Sequence, residues 1–123
     1  MAVEPVIAWH PTESHFVLSK ISFDSGDIGI YEAIWNAPAP WAVTVTTREK
    51  RCEMRPVEQA SVQLYGERTQ KFLPEHPWDA QFKPGLRQHA EETLKIMKGL
   101  PSMLPTLEDA LETMKLVRDI YEL

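Results

Sequence analysis

The sequence predicts an α+β fold, with a mainly antiparallel, open-faced sheet and two C-terminal helices packed on one face. Two observations support this class. Runs that alternate apolar and polar residues, the pattern of half-buried strands, fill most of residues 1–66. Residues 82–123 instead repeat apolar side chains at helical spacing, on either side of a proline-rich corner. Strands followed by helices are the α+β order, and the length favours a single domain over residues 1–123.

The N-terminal third contains a broken apolar run and then a hairpin. Pro5 interrupts the run over residues 3–9, which predicts an edge strand or an irregular lead-in. Residues 15–23 and 28–36 both alternate in hydrophobicity, and between them stand the turn residues Asp24-Ser25-Gly26-Asp27. We therefore predict a β-hairpin here.

Both faces of this hairpin carry large apolar side chains. One face of the second strand holds Ile28, Ile30 and Ile34, and the other holds Tyr31, Ala33 and Trp35. Two helices cover only one face of a sheet, so the other face needs a second partner. We expect a homodimer formed through this sheet face.

The middle of the chain predicts further strands and a surface strap. The two prolines in residues 37–40 interrupt the ladder because proline has no backbone N–H to donate. Residues 41–47, rich in valine and threonine, predict a strand, and residues 52–57 and 61–65 predict two weaker ones. Residues 67–83 contain several prolines and aromatic residues, which indicates an ordered strap over the surface.

The two C-terminal helices have recognisable ends. Pro84 suits the first turn of one helix, and Gly99 suits its left-handed C-terminal cap. Prolines within residues 100–105 prevent a continuous helix. Thr106 then predicts an N-cap for the second helix, with Asp109 completing a capping box.

Composition narrows the function classes. The net charge is −5, and the basic cluster near residues 48–55 is interrupted by two glutamates, which argues against a nucleic-acid surface. No apolar run approaches the ~20 residues of a membrane helix. Cys52 is the only cysteine and no signal peptide is recognisable, so we expect a cytoplasmic protein with no membrane partner.

Four side chains are candidate ligand or interface residues: Trp35, Trp41, His76 and Trp78. Trp35 and Trp41 flank the proline-containing break and have indole faces suited to stacking on a sugar ring, although such residues more often anchor a core or a dimer interface. His76 and Trp78 lie in the strap, where they either line a ligand site or stand in solvent.

The glycines and histidines of this sequence do not form an arrangement typical of a catalytic, cofactor-binding or metal-binding site. The glycines never approach the GxGxxG spacing that cradles a dinucleotide phosphate. His10 and His15 lack a nearby third metal ligand, and no base-orienting relay surrounds His76 or His89. We therefore expect no catalytic, cofactor-binding or metal-binding residue in this chain, with His76 or His89 as bases only if the chain is an enzyme by itself.

The order of several short motifs resembles a known family. These motifs are Phe23-Asp24-Ser25-Gly26-Asp27-Ile28-Gly29, Trp35-Asn36-Ala37-Pro38, Phe82-Lys83-Pro84-Gly85-Leu86, Gly99, and Thr106-Leu107-Glu108-Asp109-Ala110-Leu111 running on to Ile120-Tyr121. Over residues 3–123 they resemble the C-terminal domain of the glucose-fructose oxidoreductase, inositol dehydrogenase and rhizopine-catabolism (Gfo/Idh/MocA) family. In that family the domain shapes the substrate site and joins subunits through its sheet.

The resemblance implies that the chain is the later part of an NAD(P)-dependent sugar or polyol oxidoreductase and is not catalytic alone. NAD or NADP would be held by a Rossmann domain that this chain lacks, either in a separate subunit or in a missing segment. Lys83 matches the family's structural Phe-Lys-Pro-Gly, so it is not assigned the catalytic lysine's role. The alternative is a stand-alone dimeric carbohydrate-binding or regulatory module without enzymatic activity.

Overall fold

The computed structural model describes residues 1–13 and 15–122, in which strands precede helices along the chain. The strands are β1 (Ala2–Ile7), β2 (Phe16–Ser22), β3 (Ile28–Ile34), β4 (Val43–Thr46), β5 (Lys50–Met54), β6 (Ala60–Leu64) and β7 (Lys71–Phe72). The helices are α1 (Pro77–Gln81), α2 (Leu86–Met97) and α3 (Leu107–Tyr121). The predicted α+β class, with open antiparallel sheets and C-terminal helices, is confirmed.

The strands form two antiparallel sheets, one in the order β1-β2-β3 and one in the order β4-β5-β6-β7. The chain correspondingly divides into two compact units. The first unit comprises Met1–Ala39 and Pro105–Leu123, and the second comprises Pro40–Leu104. The boundary falls at the proline-containing break, where missing N–H groups end the ladder. The single-domain organisation stays a prediction.

The first unit is a three-stranded sheet with α3 on one face. Val17, Ser19 and Ile21 of β2 are buried and alternate with partly exposed neighbours, as the period of a strand requires. Ile120 of α3 completes the buried apolar cluster with Val17 and Ile21. The predicted division of the hairpin residues between two faces is confirmed.

The second unit differs from the first in the kind of side chain that it buries. Within residues 40–104, all of which the structure describes, the buried side chains are Ser61 and Glu92, and no apolar side chain is buried. On the four-stranded sheet, Val43, Val45 and Leu64 occupy one face and are about half exposed. The second unit therefore has a hydrogen-bonded sheet without an apolar core of its own.

The helix ends follow the predicted caps, with one shift. Gly99, at φ 68°, ends α2 in a Schellman motif, in which its N–H and that of Leu100 bond the carbonyls of Ile96 and Lys95. α3 begins at Leu107 with Thr106 and Asp109 in a capping box. α2 begins at Leu86 and not at Pro84, because Gly85 takes φ 77° and leaves the helical region. No helix in the described ranges is long and apolar enough to cross a membrane.

Candidate functional site

His76 and Trp78 lie together at the start of α1, inside the predicted strap. His76 is the N-cap, and its Nδ1 accepts the backbone N–H of Trp78 at 3.4 Å. The imidazole and indole centroids are 4.0 Å apart. Because Nδ1 accepts a hydrogen bond, the neutral ring carries its proton on Nε2, which leaves an N–H donor for a ligand.

Arg87 fixes the Trp78 ring from the neighbouring helix. Its guanidinium carbon lies 3.3 Å from the indole centroid, a cation–π contact, while its Nε donates to Glu91 at 2.9 Å. Asp79 accepts the backbone N–H of Gly85 at 2.9 Å and so ties α1 to the start of α2. The sequence did not point to Arg87, because its approach to Trp78 depends on the turn between two helices and on no motif.

A cavity of about 390 Å³ opens beside these residues in the second unit. The polar residues that line it are Glu58, Gln59, Glu75, His76 and Asp79. Its apolar lining includes Leu73 and three prolines, Pro56, Pro74 and Pro84. A volume of this size lies in the usual range for small-molecule pockets, and the lining residues offer carboxylate acceptors together with an amide and an imidazole that can donate. Trp78 does not line this cavity.

Trp35 belongs to an aromatic cluster in the first unit. Its ring lies 5.7 Å from Trp9 and 6.3 Å from Tyr121, and Trp9 lies 5.5 Å from Tyr121. The hydroxyls of Tyr31 and Tyr121 are 2.8 Å apart, and burial together with this hydrogen bond raises the pKa of Tyr31 to about 12. These contacts give Trp35 a packing role. The sequence places Tyr31 and Trp35 on one strand face, which predicts part of the cluster. Trp9 ends the broken apolar run, which does not indicate that it packs against Trp35 and Tyr121.

Trp41 belongs to the second unit and is 83 % exposed. Trp35 and Trp41 therefore lie in different units, and a sugar-stacking platform built from both stays a prediction. Trp41 stands two positions before the first residue of β4, whose four residues are all exposed.

Other candidate groups show no assembled chemistry. His89 is exposed on α2, and its carbonyl accepts the hydroxyl of Thr93 at 2.8 Å. Cys52 is half-buried in β5. Among the residues that the structure describes, no group of three or more His, Cys, Asp and Glu side chains is arranged to hold a metal ion.

The outer face of the three-stranded sheet is an apolar surface. Ile28, Ile30 and Ile34 of β3 are 66 %, 66 % and 42 % exposed, on the face opposite α3. Phe16 pairs with Ile34 and Leu18 with Glu32, so their side chains share this surface. Isoleucine side chains at this exposure cost free energy in water, and nothing in the described chain covers this surface.

The total accessible surface is large for the mass of the chain. The chain exposes 10247 Å². A folded monomer of 14.1 kDa exposes about 6,700 Å², and two separate globules of half that mass expose about 8,100 Å² together. The chain therefore exposes at least about 2,000 Å² more than two separate globules of half its mass would expose.

With this geometry established, comparison with known proteins yields no match, whether against protein-family models, curated proteins or solved structures.

Proposed function

We propose that this chain is the substrate-site and oligomerisation part of a Gfo/Idh/MocA-like NAD(P)-dependent sugar or polyol oxidoreductase, and that it works only together with a Rossmann-domain partner. The observation that carries the assembly role is the exposed row Ile28, Ile30 and Ile34 on the open face of the sheet. The resemblance in sequence supplies the oxidoreductase assignment. Under this proposal NAD or NADP binds the partner and no group in this chain performs hydride transfer.

The proposed homodimer contact is the isoleucine face itself. Burial of apolar surface contributes about 25 cal/mol per Å², so covering this face in a second copy favours association. The Lys20–Glu4 ion pair, at 3.2 Å, lies on the same face as Ile30, with Lys20 on the central strand, and adds polar groups to the contact. The proposal also places the assembly in the cytoplasm, which agrees with a lone, half-buried Cys52.

Light scattering on the purified chain tests the contact. Ile28→Lys places a charge in the buried interface opposite no carboxylate, since Ile28 pairs with Ser22. Leaving a buried charge unpaired costs several kcal/mol, so we expect the dissociation constant of this contact to rise ~100-fold and the assembly mass to fall by half. Tyr65→Lys adds the same charge at a position that is 88 % exposed and is the matched control. Unchanged mass for Ile28→Lys would contradict the sheet-face dimer.

The enzymatic part of the proposal has its own test. The chain is mixed with separately purified Rossmann-domain chains of the family, and reduction of NAD and NADP is followed with a panel of sugars and polyols. We expect a complex by size exclusion and turnover in the mixture with neither component active alone. Absence of a complex with every partner tried would remove the oxidoreductase assignment and leave the dimer test intact.

A stand-alone carbohydrate-binding or regulatory module is the second candidate function, and the 390 Å³ cavity favours it. Carboxylates and an amide accept hydrogen bonds from sugar hydroxyls, and the imidazole Nε2 of His76 donates one. Titration of polyols, followed by tryptophan fluorescence, tests this function because Trp78 is in contact with His76. Asp79→Asn and His76→Ala should abolish any fluorescence change, whereas no change for any polyol with the unaltered chain rejects the module.

A further inference from the structure

The free edge of the four-stranded sheet is unprotected. β4 lies at that edge, all four of its residues are exposed, and residues 41–47 carry no charge and no proline. Edge strands normally discourage pairing through charged residues, prolines, bulges or short length. β1 has Glu4, Pro5 and an irregular register, and β7 is two residues long and includes Lys71. β4 has no charged residue, no proline and no bulge, and with four residues it is twice as long as β7.

The backbone groups of β4 that face away from β5 can be identified. The N–H of Thr47 donates to the carbonyl of Lys50 at 2.8 Å, which closes the β4–β5 hairpin. In an antiparallel ladder such inward-facing residues alternate, so Val43 and Val45 bond β5. Thr44 and Thr46 therefore direct their N–H and C=O groups outward.

We propose that β4 pairs antiparallel with β4 of a second copy of this chain, with Thr44 on the two-fold axis. The stretch that can pair begins after Pro40, which has no N–H, and ends at Thr47, where the turn starts. A two-fold axis through its middle residue, Thr44, pairs the largest number of residues, and this selects the register. Thr44 then exchanges both backbone hydrogen bonds with Thr44 of the second copy.

A second copy fits this edge because the strand is complementary to itself. In this register Val43 lies opposite Val45 of the second copy, so valines meet valines on one face and threonines lie on the other. The absence of charges over residues 41–47 removes repulsion between the copies, although each carries a net charge of −5. Continued by two positions, the register also sets Trp41, 83 % exposed, opposite Thr47 of the second copy.

This contact is distinct from the sheet-face dimer of the proposed function and does not depend on it. The surface excess of at least about 2,000 Å² per chain leaves room for more than one interface. Two different two-fold contacts on one chain join more than two copies into one assembly. We therefore expect the unaltered chain to form assemblies larger than a dimer, which become dimers when either contact is lost.

Cysteine crosslinking tests the register directly. In a Cys52→Ala background, Thr44→Cys places two cysteines across the axis with Cα atoms ~5.5 Å apart, within the range of a disulfide. Thr46→Cys is the matched control, because its two copies would lie ~14 Å apart at ~3.3 Å per residue and ~4.8 Å between strands. With a mild oxidant we expect covalent dimers from Thr44→Cys and none from Thr46→Cys.

Proline substitution gives a second readout. Thr44→Pro removes an outward N–H and keeps the bonds to β5, so we expect the assembly mass to fall while the circular dichroism spectrum is retained. Thr44→Val keeps the N–H and should leave the mass unchanged. Equal crosslinking at both positions, no crosslinking in an assembled chain, or a Thr44→Pro variant of unaltered mass would each overturn the β4 contact. Ile28→Lys reports separately on the sheet face, so the failure of one contact is distinguishable from failure of the other.

Discussion

At the scale of single residues, Glu92 is the most heavily bonded carboxylate described in the second unit. It is 4 % exposed, accepts the hydroxyl of Ser102 at 3.0 Å and the backbone N–H of Met103 at 2.8 Å, and pairs with Lys95. These donors lower the pKa of Glu92 to about 2, the bond from Lys95 contributing most. Glu92 thereby fastens the proline-rich corner to α2.

The bonds of Glu92 to Lys95, Ser102 and Met103 predict a defined pH dependence of stability. A carboxylate whose pKa falls on folding contributes stability above its unfolded pKa of 4.5, and the contribution is lost as pH falls toward about 2. We expect Glu92→Gln to be less stable than the unaltered chain to urea at neutral pH, with the difference shrinking between pH 4.5 and 2. Glu91→Gln removes only a surface pair with Arg87 and serves as the control. A difference that stayed constant across this pH window would show that the Glu92 charge does not hold the corner.

At the scale of elements, the start of α3 depends on its capping box. The hydroxyl of Thr106 accepts the N–H of Asp109 at 3.2 Å, and the Asp109 carboxylate accepts the N–H of Thr106 at 2.8 Å. The bonds from Thr106 lower the pKa of Asp109. Because α3 also supplies Ile120 to the core, weakening its first turn affects the whole first unit.

Removal of this cap has a measurable cost. We expect Thr106→Ala to lower the free energy of unfolding by about 1 kcal/mol, the usual contribution of a threonine N-cap. Thr113→Ala is the control, because the hydroxyl of Thr113 only bonds a carbonyl inside the same helix and alanine is the better helix former. Denaturant melts that ranked Thr113→Ala as the more damaging change would contradict the capping role.

Most elements were predictable because their signals are local. The alternation around Val17 and Ile21, the cap at Thr106 and the glycine at position 99 each depend on neighbours a few residues away. The approach of Arg87 to Trp78 and the cavity beside His76 depend on how separate elements meet. Local patterns contain no such information, so the candidate site was only partly predictable: the pair His76 and Trp78 was named, but its surroundings were not.

At the scale of the whole molecule, the dominant feature is a shortage of apolar burial. The buried apolar side chains of the described ranges are Val17, Ile21 and Ile120, all in the first unit. The predicted sheet instead appears as two sheets, because alternation predicts strands but not which strands pair. The sequence also predicts an apolar sheet face that no helix covers, and the exposed isoleucines of β3 agree with this prediction.

This shortage predicts that folding depends on association. If the free energy of assembly stabilises the native state, each tenfold rise in protein concentration adds ~1.4 kcal/mol per association step. We expect the thermal midpoint, measured by circular dichroism, to rise steadily with concentration, and Ile28→Lys to flatten that rise. A midpoint independent of concentration would mean that the single chain is stable by itself.

The ring pair of Trp9 and Trp35 supplies an optical label that no mutation needs to introduce. Two indoles 5.7 Å apart and inclined at 54° couple their electronic transitions, which produces a paired positive and negative band in the dichroism spectrum. Both chromophores belong to the first unit, so the band records the melting of that unit alone. Following it alongside the amide signal would reveal whether the two halves lose their structure in one step or in succession.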